Sequence, residues 1–514
     1  MQFLGYFIKT GIRLGATRPE PWRSPVAQQQ KTLKRLLNEA ADTAFGQQYN
    51  FQKILSASDL VRAFQERVPM HNYDAMYDKW WSRAQQDEPD VCWPGLVPWF
   101  AVSSGTSNAA TKYIPVTPDI IRSMKKVSRR LFCDMAHFNL PADLFTKQML
   151  MVGSCTNLNP EGNHWVGDMS GIIGLNRPFW LKKYYKPDRE ITTIPEWSDR
   201  IERIAEEAPG WDIGFIVGNV AWVQLIFERI LEKYQLKHIH EIWPNFSLLV
   251  HGGIFFEPYR QTFEQLLGQP VHYVDSYMAS EGFIAYQPGP QSRLLRLITD
   301  AGIFYEFVPF NEQHFDENGE LYPDAKAVSL KDVIPGQQYA LLMSTDAGAW
   351  RYLLGDTIQF EDVNQATFKV TGRVKHYLSV VGEHLSVDNM NVAIQRTDQK
   401  LQAGVKEFAV AAVQNGSHWA HQWYVSTDNP NLKADEFAAE LDAQLMEIND
   451  DYRVERRYAL REIRVQLLPH GTFYSWMESQ GKLNGQAKVP RVLKGAVQTS
   501  WEQFLNSAVK HSTS

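Results

Sequence analysis

Cysteine is scarce here: Cys92, Cys133 and Cys155 are the only three in 514 residues, far apart and without the paired spacing of a zinc site. That excludes a disulfide framework and a thiolate metal cluster, and it fits a reducing, cytoplasmic setting. Long hydrophobic runs are missing too. No stretch of about 18 uninterrupted apolar residues occurs, so no membrane span is expected. The segment Met1-Gln2-Phe3-Leu4-Gly5-Tyr6-Phe7-Ile8 is apolar but short, and Lys9 and Arg13 break it. With no charged region ahead of it and no small-residue cleavage site, it reads as a helix docking on the body. Positive charge is not in excess either: 52 Lys and Arg stand against 58 Asp and Glu, a net charge of −6. Bulk electrostatics therefore exclude nucleic acid and an anionic membrane as expected partners. A Gly-x-Ser-x-Gly elbow and the Gly-Lys-Ser/Thr ending of a Walker loop are both absent. His238 with His240, and His418 with His421, lack a third metal ligand and read as surface or core residues.

Hydrophobic residues make up 44% of the chain and charged residues 21%, the balance of a folded protein. At this length one ordinary core does not suffice, so two or more domains are expected. The first hundred residues read as helices, with Leu33, Leu36, Leu37 and Ala40 on one face of a Gln28–Phe45 segment that Gly46 stops. Strand-like runs then alternate with helical ones. Gln148–Val152 ends at Gly153-Ser154, Phe246–Val250 at His251-Gly252-Gly253, and Val271–Tyr277 at Met278-Ala279-Ser280-Glu281-Gly282. Between them Gly218–Tyr234 and Pro258–Leu267 read as helices. This is an α/β pattern, in which ligands gather at the carboxyl ends of strands. Ile298–Phe368 reads as a β-rich subdomain, and after about residue 380 a second α/β unit begins. The expected division is residues 1–380 as a large N-terminal domain and 381–514 as a smaller, mobile C-terminal one.

Three local motifs carry chemistry. Ser103-Ser104-Gly105-Thr106-Ser107-Asn108-Ala109-Ala110-Thr111-Lys112 follows an apolar run. Small hydroxylated residues around a glycine can offer N–H and O–H donors to phosphate oxygens, with Lys112 as a point charge. Thr117 and Pro118 then look like the N-cap and first turn of a helix. Tyr277-Met278-Ala279-Ser280-Glu281 brings a ring, a hydroxyl and a carboxylate to a strand end, where Glu281 suits Mg²⁺, which takes one or two carboxylates plus substrate phosphates. Trp350-Arg351-Tyr352-Leu353-Leu354-Gly355-Asp356 places a carboxylate after a glycine, able to accept both ribose hydroxyl protons. Each motif alone is also an ordinary polar loop, helix cap or turn.

Taken in order, the three resemble the adenylate-forming enzymes, and more closely the auxin-responsive Gretchen Hagen family of acyl acid amido synthetases and its bacterial members. That family shows Ser-Ser-Gly-Thr-Ser-x-Gly-x-x-Lys, then Tyr-x-x-Ser-Glu, then Tyr-Arg-x-Gly-Asp. His470-Gly471-Thr472-Phe473 and Gly485-Gln486-Ala487-Lys488-Val489-Pro490-Arg491 resemble its C-terminal segments, so the likeness runs from about residue 40 to 495. The resemblance implies two substrates, ATP with Mg²⁺ and a small-molecule carboxylic acid, and an amino acid as acceptor. It implies that Ser103, Ser104, Gly105, Thr106 and Ser107 surround the ATP phosphates. Tyr277 and Ser280 would line the adenine and α-phosphate region, Glu281 would bind Mg²⁺, and Tyr352 would lie near the nucleotide. Asp356 would grip the ribose with help from Arg373, and Lys488 would reach the phosphates when the C-terminal domain rotates over the site.

Two positions depart from the family pattern. Ala109 replaces the second glycine of the first motif, and Leu353 replaces the arginine of the third. Three activities are therefore kept: an acyl acid–amino acid ligase, an adenylate-former that passes the acyl group to a thiol such as coenzyme A, and a nucleotide-binding homologue with weak turnover.

Overall fold

In a computed structural model of the chain, residues 10, 24–103, 112–138, 140–177, 183–253, 256–316, 319–374, 378, 385–415, 418–449, 452–453, 456, 460–482 and 488–512 are described. The N-terminal segment read as a docking helix lies outside them, Thr10 excepted. Ser24 caps the helix Pro25–Glu39 by accepting from the Ala27 N–H, and Leu33, Leu36 and Leu37 are buried along it. The expected Gln28–Phe45 helix is divided. The chain turns after Ala40, and Thr43 caps a second helix, Ala44–Gln48. Gly46 lies inside that helix and does not stop the first. A Cβ there would stand 2.1 Å from the Ala40 carbonyl oxygen, so a side chain cannot be accommodated where the two helices meet.

A 12-stranded sheet forms the centre of the molecule. Its parallel half runs, from the edge inward, Tyr185–Lys186, Gln148–Val152, Ile213–Gly218, Leu248–Gly252 and His272–Ala279. The antiparallel half continues with Gly282–Tyr286, Leu295–Leu297, Thr367–Arg373, Tyr352–Asp362, Gln338–Thr345, Ile303–Pro309 and Val328–Ser329. The α/β reading and the β-rich stretch over 298–368 thus join in one sheet. Ile213–Gly218 is a strand that periodicity did not reveal, and the helix placed at Gly218 starts at Val220. Gly218 belongs to the sheet because it packs against its neighbour: a Cβ would approach that of Val152 to 2.7 Å.

One apolar core, including Leu150, Ile216 and Leu249, packs against the helices Trp197–Glu207 and Val220–Tyr234. Another joins Leu248, Val250 and Val274 to Ile120, Met124 and Val127 of the helix Pro118–Asp134 and to the N-terminal helices. Thr117 caps that helix as expected, accepting from the Ile120 N–H. Burial of large side chains on both sheet faces supplies the main favourable free energy, since each contributes about 1.5–3 kcal/mol.

Toward the C-terminus a four-stranded mixed sheet runs Leu460–Leu468, His418–Ser426, Glu407–Asn415 and Val492–Leu493. The helices Val387–Leu401 and Ala434–Ile448 bury Met390, Ile394, Phe437 and Leu441 on one side of it. Phe473, Trp476 and Trp501 pack on the other. Leu378 pairs with Leu385 and belongs to the first of these two cores. Among the described residues no helix is long and apolar enough to cross a membrane.

Candidate active site

The carboxyl ends of the parallel strands open into one cavity of about 2190 Å³. Gly153 and Ser154, Gly218 and Asn219, His251 to Gly253, and Ser276 to Glu281 line it side by side. Small residues at these ends keep the backbone accessible. At Gly252 a Cβ would meet the Ser276 carbonyl oxygen at 2.1 Å, and Gly253 has a φ of +85° that side chains disfavour.

Tyr277 to Ala279 complete the strand His272–Ala279 instead of following it, and Ala279 pairs with Gly282, so Ser280 and Glu281 form a two-residue hairpin turn. Asp356 is likewise inside a strand, Tyr352–Asp362, not in a turn. A bulge aims it. Ala340 pairs with Thr357 and Leu342 with Leu353, so Leu354, Gly355 and Asp356 oppose Leu341 alone. Gly355 absorbs the distortion at a φ of +89°. Asp356 then faces two donors, the Tyr277 hydroxyl at 2.5 Å and the Arg373 Nε at 2.7 Å, one to each carboxylate oxygen. Arg373 stands opposite Asp356 on the paired strand, so the ion pair follows from sheet register. Burial, and then the Asp356 charge, push the Tyr277 hydroxyl far above its ordinary pKa, so it remains a donor.

Glu281 is 8% exposed. Burial raises its pKa, against the pull of Lys112 and of a hydrogen bond from the Tyr352 hydroxyl. A buried carboxyl held up in this way gains from a cation. Among the described residues no cluster of three or more His, Cys, Asp or Glu could hold a metal by itself. One carboxylate beside room for phosphates is the donor set Mg²⁺ accepts when a nucleotide completes its shell. Lys112, paired across the strands with Ser103, sends its ammonium over the Tyr73 ring at 5.2 Å. Ser104, Gly105, Thr106, Ser107 and Ala109 lie outside the described residues.

Lys488 reaches the same cavity from the C-terminal sheet. Its Nζ would stand 3.4 Å from a Cβ on Gly253. Crowding by the cavity walls, and then by Arg373, lowers its pKa to about 8, with Asp356 opposing. Arg491 holds this segment in place: its guanidinium bonds Glu407 and the Phe408 carbonyl, and Val492 pairs with Val410.

Sequence profiles of one family match the chain in three stretches: the GH3 family N-terminal domain over residues 21–162, the central domain over 296–373 and the C-terminal domain over 388–496. The chain belongs to the GH3 family. It is 24% identical over 218 residues to a probable indole-3-acetic acid-amido synthetase, GH3.7, of Oryza sativa subsp. japonica, covering 37% of this chain and 34% of that protein. Its matches to such curated relatives span about a third to a half of their length. The fold is that of a GH3.15 acyl acid amido synthetase, with a TM-score of 0.76 at 15% identity over 99% of this chain and 96% of that one. It is also that of a 2-hydroxyisobutyryl-CoA ligase in a postadenylation state with R3-HIB-AMP, with a TM-score of 0.61 at 12% identity over 97% and 94%.

Several residues of this GH3-family site escaped the motif reading. Arg351, quoted within the third motif but given no role there, does not face the cavity. It is 5% exposed and ion-paired with Glu306, and it bonds the carbonyls of Gln65 and Val68. His251 and Asp275 pair across neighbouring strands at the cavity wall. Arg200 enters from a helix and donates to the carbonyls of Gly153 and Ile194. Sequence offered a signal only for His251, through its place before Gly252-Gly253. Arg351 and Asp275 lie in or beside motifs without a signal of their own, and Arg200 lies far from them along the chain.

Proposed function

We propose that this chain is an ATP-dependent ligase that activates a carboxylic acid as its acyl-adenylate and passes the acyl group to the amine of an amino acid. The observation that carries this reading is the meeting of Asp356, Tyr277, Arg373, Glu281 and Lys488 in one cavity, drawn from both sheets. The acid carboxylate attacks the α-phosphorus of ATP, and pyrophosphate leaves. Negative charge then grows on the α-phosphate and the leaving group, where fixed donors and cations stabilise it without reorganising. Ser103, Ser104, Gly105, Thr106, Ser107 and Lys112 would surround the phosphates, with Ser280 at the α-phosphate and Tyr352 nearby. Asp356 would accept from the ribose hydroxyls while Arg373 holds the carboxylate in orientation. Glu281 would hold Mg²⁺, which supplies Lewis-acid neutralisation of phosphate charge when bound. Lys488 would place its ammonium beside the phosphates.

The amine of the acceptor must attack unprotonated, displace AMP and lose a proton to a base or to solvent, so a site that desolvates it or takes its proton favours this step. Two working bodies, residues 1–380 and 381–514, would separate the half-reactions by rotation. The fold neighbour that handles coenzyme A leaves a thiol acceptor as the second reading. The test is Mg²⁺- and acid-dependent exchange of labelled pyrophosphate into ATP over a panel of acids, followed by mass spectrometry with all amino acids and coenzyme A offered together. An amide product is expected. Exchange without amide but with thioester would select the second reading, and nucleotide binding without exchange would leave a non-catalytic homologue.

A further inference from the structure

At the far end of the cavity from Asp356, a cation stands without a counter-charge among the described residues. Arg177 follows the helix Met169–Leu175 and lines the cavity. Its guanidinium lies over the Tyr185 ring at 5.0 Å, and its Nε is buried with no hydrogen-bond partner. Among the described residues no carboxylate pairs with it, and burial pulls its pKa down with only Tyr185 opposing. Buried donors nearly always find acceptors, and a charged one left without costs more than a neutral one. Arg177 as a whole is only half-buried and lines the cavity, so the counter-charge its guanidinium lacks among the described residues is a ligand's to supply.

Position in the fold limits which ligand group that is. Tyr185 lies on the edge strand, four strand spacings from His272–Ala279, which carries Tyr277. At 4.7–4.9 Å per spacing, the two strands are on the order of 19 Å apart across the sheet. An α-amino acid carries its carboxylate one carbon from the amine that must attack beside the adenylate, so that carboxylate cannot span the sheet. The acyl acid can extend. The wall between is apolar, with Met149, Met151, Phe215 and Val217 from the strands and Phe132 and Phe145 opposite.

We propose that Arg177 binds a second carboxylate at the distal end of the acyl acid, so that the preferred substrate is an elongated dicarboxylic acid with an apolar middle. The guanidinium fork suits a carboxylate held bidentately, and stacking on Tyr185 fixes its plane. This rests on the ligase reading above for which carboxylate is activated.

The experiment compares dicarboxylic acids of graded length with their monocarboxylic analogues. Calorimetric binding and pyrophosphate exchange are measured on the wild-type chain, Arg177→Met and Arg177→Lys. The wild type should prefer a diacid. Arg177→Met should lower the diacid-to-monoacid preference by about ten- to a hundredfold, and Arg177→Lys should restore part of it. Equal binding of both acids by the wild type would overturn the proposal. So would an equal loss for both in Arg177→Met, or an effect confined to the KM of the amino acid. Arg177-dependent diacid binding without exchange would sink the ligase reading and leave the anion site standing. Exchange with monoacids alone would do the reverse.

Discussion

Both carboxylate oxygens of Asp356, the proposed ribose ligand, are already engaged, one by Tyr277 and one by Arg373. Those bonds fix its plane before any ligand arrives, and a carboxylate oxygen has lone pairs left to accept ribose hydroxyls. Asp356→Ala should therefore weaken ATP binding by roughly 2–4 kcal/mol, read by calorimetry on a variant whose folding is checked by circular dichroism. An unchanged dissociation constant would make the carboxylate a purely structural partner of Arg373. Lys488 makes a second prediction at this scale. With a pKa of about 8 it is mostly charged at pH 7 and loses its proton as pH rises through 8. If the ammonium stabilises the phosphates, kcat/KM for adenylation falls about tenfold per pH unit above that value. Lys488→Ala should lower the activation rate by about 10²-fold or more and lack this alkaline limb. An alkaline fall that persists in the variant would assign the titration to another group.

At the scale of elements, Arg351 ties the strand bearing the third motif to the N-terminal helices. It pairs with Glu306, itself 1% exposed, and caps the carbonyls of Gln65 and Val68 at the end of Leu60–Arg67. Removing one partner strands a buried charge. Arg351→Met should cost about 3–5 kcal/mol in urea denaturation. Adding Glu306→Leu should recover a substantial part of that, because no charge is then left unpaired. A single substitution as mild as a surface change would show that water reaches Glu306. This network also explains why Tyr352 and Asp356 can point inward: the strand is fixed at its head by Arg351 and bent at Gly355.

The whole molecule responds to acid through His71, which links the helical layer to the sheet. Its Nδ1–H donates to the Trp350 carbonyl at 2.8 Å, its N–H to the Arg351 carbonyl, and its own carbonyl accepts from Leu353. Burial lowers its pKa from 6.5 to about 4. The unfolded chain takes up the proton near pH 6.5 and the folded one only near pH 4, so between these values the unfolded state binds more protons. The His71 contribution to stability is full above pH 6.5 and falls by about 3 kcal/mol as pH drops through the window. Asp275 and Asp346, whose carboxyls burial raises to about 7, pull the other way over this range. The check is therefore the difference between wild type and His71→Gln in chemical denaturation from pH 7 to 4, where the variant should lack a fall of this size. The proposed two-body arrangement carries a further prediction: Lys488→Ala should spare amide formation from a preformed adenylate while slowing adenylation. Equal loss in both steps would remove the division of labour between the half-reactions.

Chemistry confined to contiguous residues was legible without a fold. The Thr117 cap was placed by a capping signal that acts within a few residues, the second motif was read at a strand end where Ser280 and Glu281 now form the turn, and the alternation of strands and helices marked an α/β architecture. The role proposed for Lys488 came only from resemblance, because nothing local distinguishes it from a surface lysine. Tertiary structure decided the rest. A strand such as Ile213–Gly218, apolar on the face toward the helices and on the face toward the cavity, lacks the alternation that sequence periodicity detects. The bulge at Gly355 exists because a partner strand sets the register. Arg177, Arg200 and Tyr185 share one cavity because parallel strands bring their carboxyl ends together across long stretches of chain. Local physical chemistry determined which residues could act on a nucleotide. The sheet decided which of them meet, and which cation was left for a ligand to answer.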